Sequence, residues 1–201
     1  MTLILASASP RRREILGVLG IPFELVVPEV DELAEGVPEV VVVENARRKA
    51  AAGLREADHA GKSAIALGVD TEVVIDGHLL GKAGTRDEAR ERLQMLAGRT
   101  HTVLSGLVLQ PADPSDEEPR ERSGVAGTDV TFRELDRATL DAYLASGEWQ
   151  DRAGAYAIQG LGSLLVERVE GDFSNVVGLP LRLLFDLAPE LLAAVTPVQG
   201  P

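Results

Sequence analysis

The sequence predicts an α/β fold. Short apolar runs of strand length alternate with longer stretches whose apolar residues recur at helical spacing. Tight turns, Asp76-Gly77 above all, imply that some strands pair antiparallel. No internal repeat of fixed period is present. In order, residues 2–6 read as a buried strand. A helix follows, with Ser9 at its N-cap, Pro10 at its first position and Ile15, Leu16 and Leu19 on its apolar face; Gly20 ends it. "IPFELVVPEVDE" is a second extended stretch. Residues 40–57 have helical spacing, and 63–75 a strand pattern closed by the Asp76-Gly77 turn. An amphipathic helix over 85–97 turns Ala89, Leu93 and Leu96 inward. "HTVLSGLVLQ" and "GTDVTFREL" are strands, and the polar, proline-bearing segment between them, 111–127, is expected to be a mobile loop. A helix over 136–146, a glycine-rich tract from Gly154 to Gly178 and a last helix from near Pro180, carrying Leu181, Leu184 and Leu187, complete the chain. The length, 201 residues, suits one large domain, 1–201, or two closely joined lobes.

Composition excludes several classes of function. There are no cysteines, hence no disulfide, thiol nucleophile or thiolate-bound metal. The apolar opening run, Leu3 to Ala6, is too short to span a membrane or direct secretion, and a cytoplasmic protein without membrane association is expected. Seven aromatic residues supply a poor base-stacking platform, and a formal charge of −12 repels a long polyanion, so stable nucleic-acid binding is disfavoured. A small anion held locally with a divalent cation remains compatible with that charge.

Arg11, Arg12 and Arg13 fall in the first turn of the first helix, the end that favours acids. On a helical wheel Arg12 shares the side of Ile15 and Leu16, Arg11 lies at the edge of that face, and Arg13 points away. A helix N-terminus after a strand offers free N–H groups, Ser7 and Ser9 add hydroxyls, and arginine forks match phosphate oxygens. The turn reads as a phosphate cradle, although neither G-x-x-x-x-G-K-[ST] nor G-x-G-x-x-G occurs. Asp70 interrupts a buried run, where a carboxylate needs a cation, a metal or water. Thr71 adjoins it. Lys49 lies toward the apolar face of its helix, either snorkelling or functional. Lys82 follows the hairpin on a loop. Asp31 and Glu32 are either a solvated pair or hard oxygen ligands for Mg²⁺. His101 reads as structural, since no zinc-type histidine spacing is present. In "AGAYAIQGLG" the glycines allow close backbone approach and Gln159 supplies an amide. Together these groups suit metal-assisted hydrolysis of a phosphoanhydride.

The motifs "LILASASPRRREIL", "VDE", "ENARRKA", "LGVDTEVVIDG", "LLGK", "LAGRTHTVLSG", "VTFREL", "AGAYAIQGLG" and "VVGLPL", in this order over nearly the whole chain, resemble the Maf family of nucleoside triphosphate pyrophosphatases. The resemblance implies an elongated mixed β-sheet flanked by helices, of the inosine triphosphatase-like type, with two lobes around a cleft. It implies cleavage of the α–β phosphoanhydride with Mg²⁺ or Mn²⁺, and a homodimer. It implies Asp70 as proton acceptor, Arg11, Thr71 and Gln159 as specificity positions, and Ser7, Ser9, Arg12, Lys49 and Lys82 at the phosphates. Glu32 and Asp70 are the metal ligands it implies. Arg11, Thr71 and Gln159 are similar to the branch acting on dTTP and UTP rather than 7-methyl-GTP. Ala83 stands where proline is usual and Ala157 where glycine is usual. The family's older name, septum formation inhibitor, keeps a second reading in view: a non-catalytic nucleotide-binding regulator of cell division.

Overall fold

The computed structural model describes residues 2–58, 63–112 and 121–196. Its centre is a mixed seven-stranded sheet in the order β2-β1-β3-β5-β6-β7, with β4 paired to β3. The strands are β1 (Thr2–Ala6), β2 (Phe23–Val26), β3 (Ala64–Ile75), β4 (His78–Leu80), β5 (Thr100–Pro111), β6 (Arg122–Phe132) and β7 (Val166–Glu170). β1 runs parallel to both β2 and β3, and the remaining pairs are antiparallel. Parallel neighbours need crossover connections. These are α1 (Pro10–Val18), between β1 and β2, and α2 (Pro38–Glu56), between β2 and β3. Both helices carry proline in the first turn, where its missing N–H is no loss. The antiparallel β3–β4 hairpin turns at Asp76 and Gly77, both with positive φ (52° and 76°), as a two-residue primed turn requires.

Residues Ala64 to Asp70 of β3 are buried without alternation, because helices cover both faces there. On one face α2 packs Ala46 and Ala50 against Ile4, Ala66 and Val108. Gly68 and Gly106 set how closely: a Cβ at Gly68 would stand 2.0 Å from the Ala46 carbonyl oxygen, and one at Gly106 2.3 Å from the Val42 backbone. On the other face, α1 and α6 (Leu181–Leu187) bury Leu16 and Leu184 against Leu5, Leu67 and Leu107. A further apolar cluster lies at the far end of β3 and β5. There Val73, Ile75 and Val103 meet α3 (Arg86–Leu96), α4 (Arg137–Ser146), Trp149 and Tyr156. Asp70, Thr71 and Glu72 sit on β3 where it passes between these packing regions.

Several elements depart from the sequence reading. The second extended stretch pairs only over Phe23–Val26, and residues 27–34 carry no regular structure; Pro28 cannot continue a ladder. β5 extends to Pro111 and β6 begins at Arg122, so the expected loop at 111–127 loses both its ends to strands. Residues 113–120 of that loop lie outside the described residues. The glycine-rich tract contains a 3₁₀ turn (Gly160–Leu165), β7, and α5 (Phe173–Val177). Among the described residues, no helix is long and apolar enough to cross a membrane.

Candidate active site

A cleft of about 690 Å³ opens at the C-terminal end of β1 and the middle of β3. Ser7, Ser9, Arg11, Arg12, Glu32, Lys49, Asp70, Thr71, Lys82 and Gln159 all line it. The sheet and α2 bring them together from distant parts of the chain.

The α2–β3 contact builds its floor. Asp70 is 4% exposed. Lys49 Nζ lies 2.6 Å from Asp70 Oδ1 and 3.1 Å from Glu32 Oε1, so one ammonium joins both carboxylates. Asn45, fully buried one turn before Lys49, donates from Nδ2 to Asp70 Oδ2 at 3.1 Å. The same amide accepts from Leu33 N–H (2.7 Å) and donates to Leu33 C=O (3.0 Å). Asn45 thereby pins the segment that carries Glu32, which has no regular structure of its own. Glu72, two residues along β3, lies on Asp70's face of the strand. Its Oε2 is buried without a hydrogen-bond partner. Burial, reinforced by the Asp70 and Glu32 carboxylates, pushes Glu72 up to about 7, with Lys49 and Lys82 opposing.

The β1–α1 turn forms a second wall. Ser9 occupies the N-cap of α1 but makes no side-chain cap bond, and the first turn holds no acidic residue. Its open N–H groups therefore favour an anion. Ser7 Oγ accepts from Ser9 N–H (3.2 Å) and Arg12 Nη1 (3.0 Å), which leaves the hydroxyl proton to donate elsewhere. Arg12, 8% exposed, also donates to Gly178 C=O (2.7 Å) and Thr71 Oγ1 (3.1 Å). Sequence alone assigns Arg12 a free phosphate fork; the structure engages three of its nitrogens with protein oxygens, so it braces the cleft as well as lining it. Burial lowers Arg12 to about 10, against the pull of Asp70 and Glu32. Arg11 donates from Nε to Val177 C=O (3.0 Å) and keeps Nη1 buried without a partner. Arg13 is exposed.

The opposite wall comes from residues 147–159. Lys82 is fixed there by an isolated bridge to Ala153. Gln159 is exposed on this wall, at the start of the 3₁₀ turn, and makes no cap bond to it. Behind it, His101 Nε2 meets Tyr156 Oη at 2.9 Å, and both rings pack edge-on with Phe132. Burial holds His101 down at about 4, in keeping with a structural role.

A family model described as Maf-like protein matches residues 2–191. The chain belongs to the Maf family. Among Maf relatives, a dTTP/UTP pyrophosphatase of Caldanaerobacter subterraneus subsp. tengcongensis is 43% identical over 188 residues, covering 93% of this chain and 87% of that protein. One of Thermococcus onnurineus is 46% identical over 186 residues, 92% of this chain and 95% of its own. One of Alkalilimnicola ehrlichii is 45% identical over 181 residues, 88% and 86% respectively. Among solved structures, a nucleoside-triphosphatase / dITP/XTP pyrophosphatase of Mycobacterium abscessus superposes with a TM-score of 0.43 at 18% identity, over 67% of this chain and 76% of that one.

The donor chemistry of this Maf cleft fits a hard divalent cation. Asp70 and Glu32 line the cleft and share the Lys49 ammonium, and carboxylate oxygens are the donors such a cation takes. Among the described residues, no group of three or more His, Asp or Glu side chains is placed to hold a metal ion. A magnesium-like ion would therefore complete its shell with water and ligand oxygens, as such ions usually do.

Sequence reasoning missed Asn45, Glu72 and Arg152. For Asn45 a signal exists: it lies four residues from both Val41 and Lys49, on the buried face of α2. Glu72 is spaced by two from Asp70 on one strand, the period that places both on one face. Arg152, whose Nε is buried on the cleft wall without an acceptor, sits in a loop with no periodicity to read.

Proposed function

We propose that this Maf protein hydrolyses dTTP and UTP to the monophosphate and pyrophosphate. The observation that carries this reading is the convergence in one cleft of Arg11, Thr71 and Gln159 with Asp70, Lys49 and Glu32. The names of relatives 43% to 46% identical over about nine-tenths of the chain support it. Gln159 offers an amide that pairs with the O4/N3–H edge of uracil or thymine. Ser7, Ser9, Arg12, Lys49, Lys82 and the open end of α1 receive the phosphates. Asp70 orients a water and takes its proton as the water oxygen bonds to phosphorus at the α–β link; pyrophosphate leaves. Lys49, held on Asp70 Oδ1, orients that carboxylate and sets an ammonium charge beside the substrate's phosphates. A divalent cation, Mg²⁺ or Mn²⁺ held through Glu32 and Asp70, would neutralise phosphate charge when bound. We place this activity in the cytoplasm.

The test is pyrophosphate release with Mg²⁺, and again with Mn²⁺, from dTTP, UTP, CTP, dATP and 7-methyl-GTP side by side. Release from dTTP and UTP alone is expected. Asp70→Asn should abolish release while nucleotide binding persists. Unchanged turnover in that variant refutes the assigned base. Binding without release from any nucleotide would favour a non-catalytic regulator.

A further inference from the structure

One cation on the cleft wall has no part in the reaction as described above. Arg152 lies between α4 and the 3₁₀ turn and lines the same cavity as Asp70 and Lys82. Its Nε is closed off from solvent and meets no acceptor. Arg47, Arg48, Arg90, Arg99, Arg122 and Arg168 each hold a carboxylate, and Arg11 and Arg12 on the facing wall donate from Nε to backbone carbonyls. No ion pair forms at Arg152 among the described residues. Burial lowers its pKa, and no acid pulls the other way. Glu148, also on this wall, instead accepts from the Leu161 and Gly162 N–H groups at 3.0 and 3.1 Å. A partly desolvated guanidinium with no counter-ion is unfavourable unless an anion arrives to complete it.

The backbone around it is held in an unfavourable form. Asp151 (φ 54°) and Ala155 (φ 60°) are non-glycine residues in the left-handed region, with Gly154 (φ 64°) between them. Such residues persist where the surroundings over-determine them, and they cluster at ligand clamps. Here Gly154 N–H donates to Leu80 C=O at 2.6 Å, and a Cβ at Gly154 would stand 2.8 Å from Val73 Cγ2. Ala153, the residue after Arg152, is the bridge partner of Lys82. The strained turn thus ties the backbone beside Arg152 to that of Lys82, and both residues line the same cleft.

We propose that Arg152 is a further substrate-binding residue, which with Lys82 grips the two phosphates that leave as pyrophosphate. The proposal rests on the hydrolysis described above. Its guanidinium fork binds the oxygens on which charge develops as the α–β bond breaks, and Lys82 adds a point charge. A nucleoside monophosphate lacks those phosphates, so Arg152 separates substrate from product.

The test uses Arg152→Met and Arg152→Lys in the full chain, with inorganic pyrophosphate and dTMP as probes. In Arg152→Met we expect kcat/KM for dTTP to fall about 100-fold, the scale for loss of one charged transition-state contact. Inhibition by pyrophosphate should weaken by about tenfold or more, the scale for a lost charge-assisted hydrogen bond. Inhibition by dTMP should hold and Tm should not fall, because a desolvated cation has been removed. Arg152→Lys should recover part of the pyrophosphate effect. Wild-type kcat/KM in Arg152→Met overturns the proposal, and so does equal loss of both inhibitors with a lowered Tm. Calorimetric titration with pyrophosphate in Mg²⁺ separates the two readings. Wild-type binding that Arg152→Met loses supports Arg152 even if no nucleotide is turned over, an outcome that defeats the hydrolytic reading alone.

Discussion

Glu72→Gln should make the protein more stable at alkaline pH and leave it nearly unchanged in acid. The folded state raises Glu72 from 4.5 to about 7, so it holds a proton that the unfolded chain releases at lower pH. A carboxyl group raised in this way contributes its full share of stability below the unfolded value. That share is lost as pH climbs through the folded value. The window is therefore about 4.5 to about 7. At about 1.36 kcal/mol per pH unit the loss amounts to up to about 3 kcal/mol. Glutamine keeps the shape and has no proton to lose. Its own imperfect fit near the orphaned Oε2 position adds an offset that does not vary with pH. Urea unfolding of both proteins from pH 4.5 to pH 8, with a chelator present, measures the difference. It should widen in the variant's favour up to about pH 7 and level off above that. Parallel stability curves, with a constant gap across the range, would refute the reading of Glu72 as a carboxyl group raised by burial with Asp70 and Glu32 adding to it.

Two further substitutions test the α2–β3 contact. Gly68→Ala sets a methyl group against the Ala46 carbonyl at a separation of 2.0 Å; thermal melts should show a loss of about 3 kcal/mol, the upper range of core overpacking, together with loss of turnover as Lys49 and Asn45 move off Asp70. Asn45→Leu removes three hydrogen bonds and strands Leu33 N–H and C=O; denaturant titration should show about 2–4 kcal/mol of destabilisation, and kcat should fall more than the occupied fraction of folded protein explains.

Much of this architecture is legible in the residues. β1, α2, β3 and the hairpin announce themselves because each buries a face or a whole strand, and burial enforces periodicity. The tract after Gly154 does not. β7 is a five-residue strand, VERVE, with charged side chains exposed to water, and α5 is a single short turn closed by Gly178; neither buries enough apolar surface to leave a pattern. Lys49 was readable from helical phase, and Asp70 from its place in an apolar run. The bonds of Arg12 were not, since its Gly178 acceptor lies 166 residues away. Nor could Glu32 be settled by spacing. Its position depends on Asn45 holding Leu33, a contact made by tertiary packing alone. Arg152 belongs to the same class: its environment is set by a strained turn and by the bridge of its neighbour Ala153 to Lys82, not by any local sequence rule.

The two sides of the cleft rest on different hydrophobic clusters. Asp70, Asn45 and Lys49 ride on the close contact of α2 with the sheet, whereas the wall of residues 147–159 belongs to the cluster around Tyr143, Trp149 and Tyr156. The catalytic carboxylate and the wall that carries Gln159 and Arg152 are thereby braced by separate packing. Repacking the Tyr143–Trp149–Tyr156 cluster would therefore shift Gln159, Arg152 and the Lys82 bridge together while leaving the Asp70–Lys49–Asn45 contacts in register.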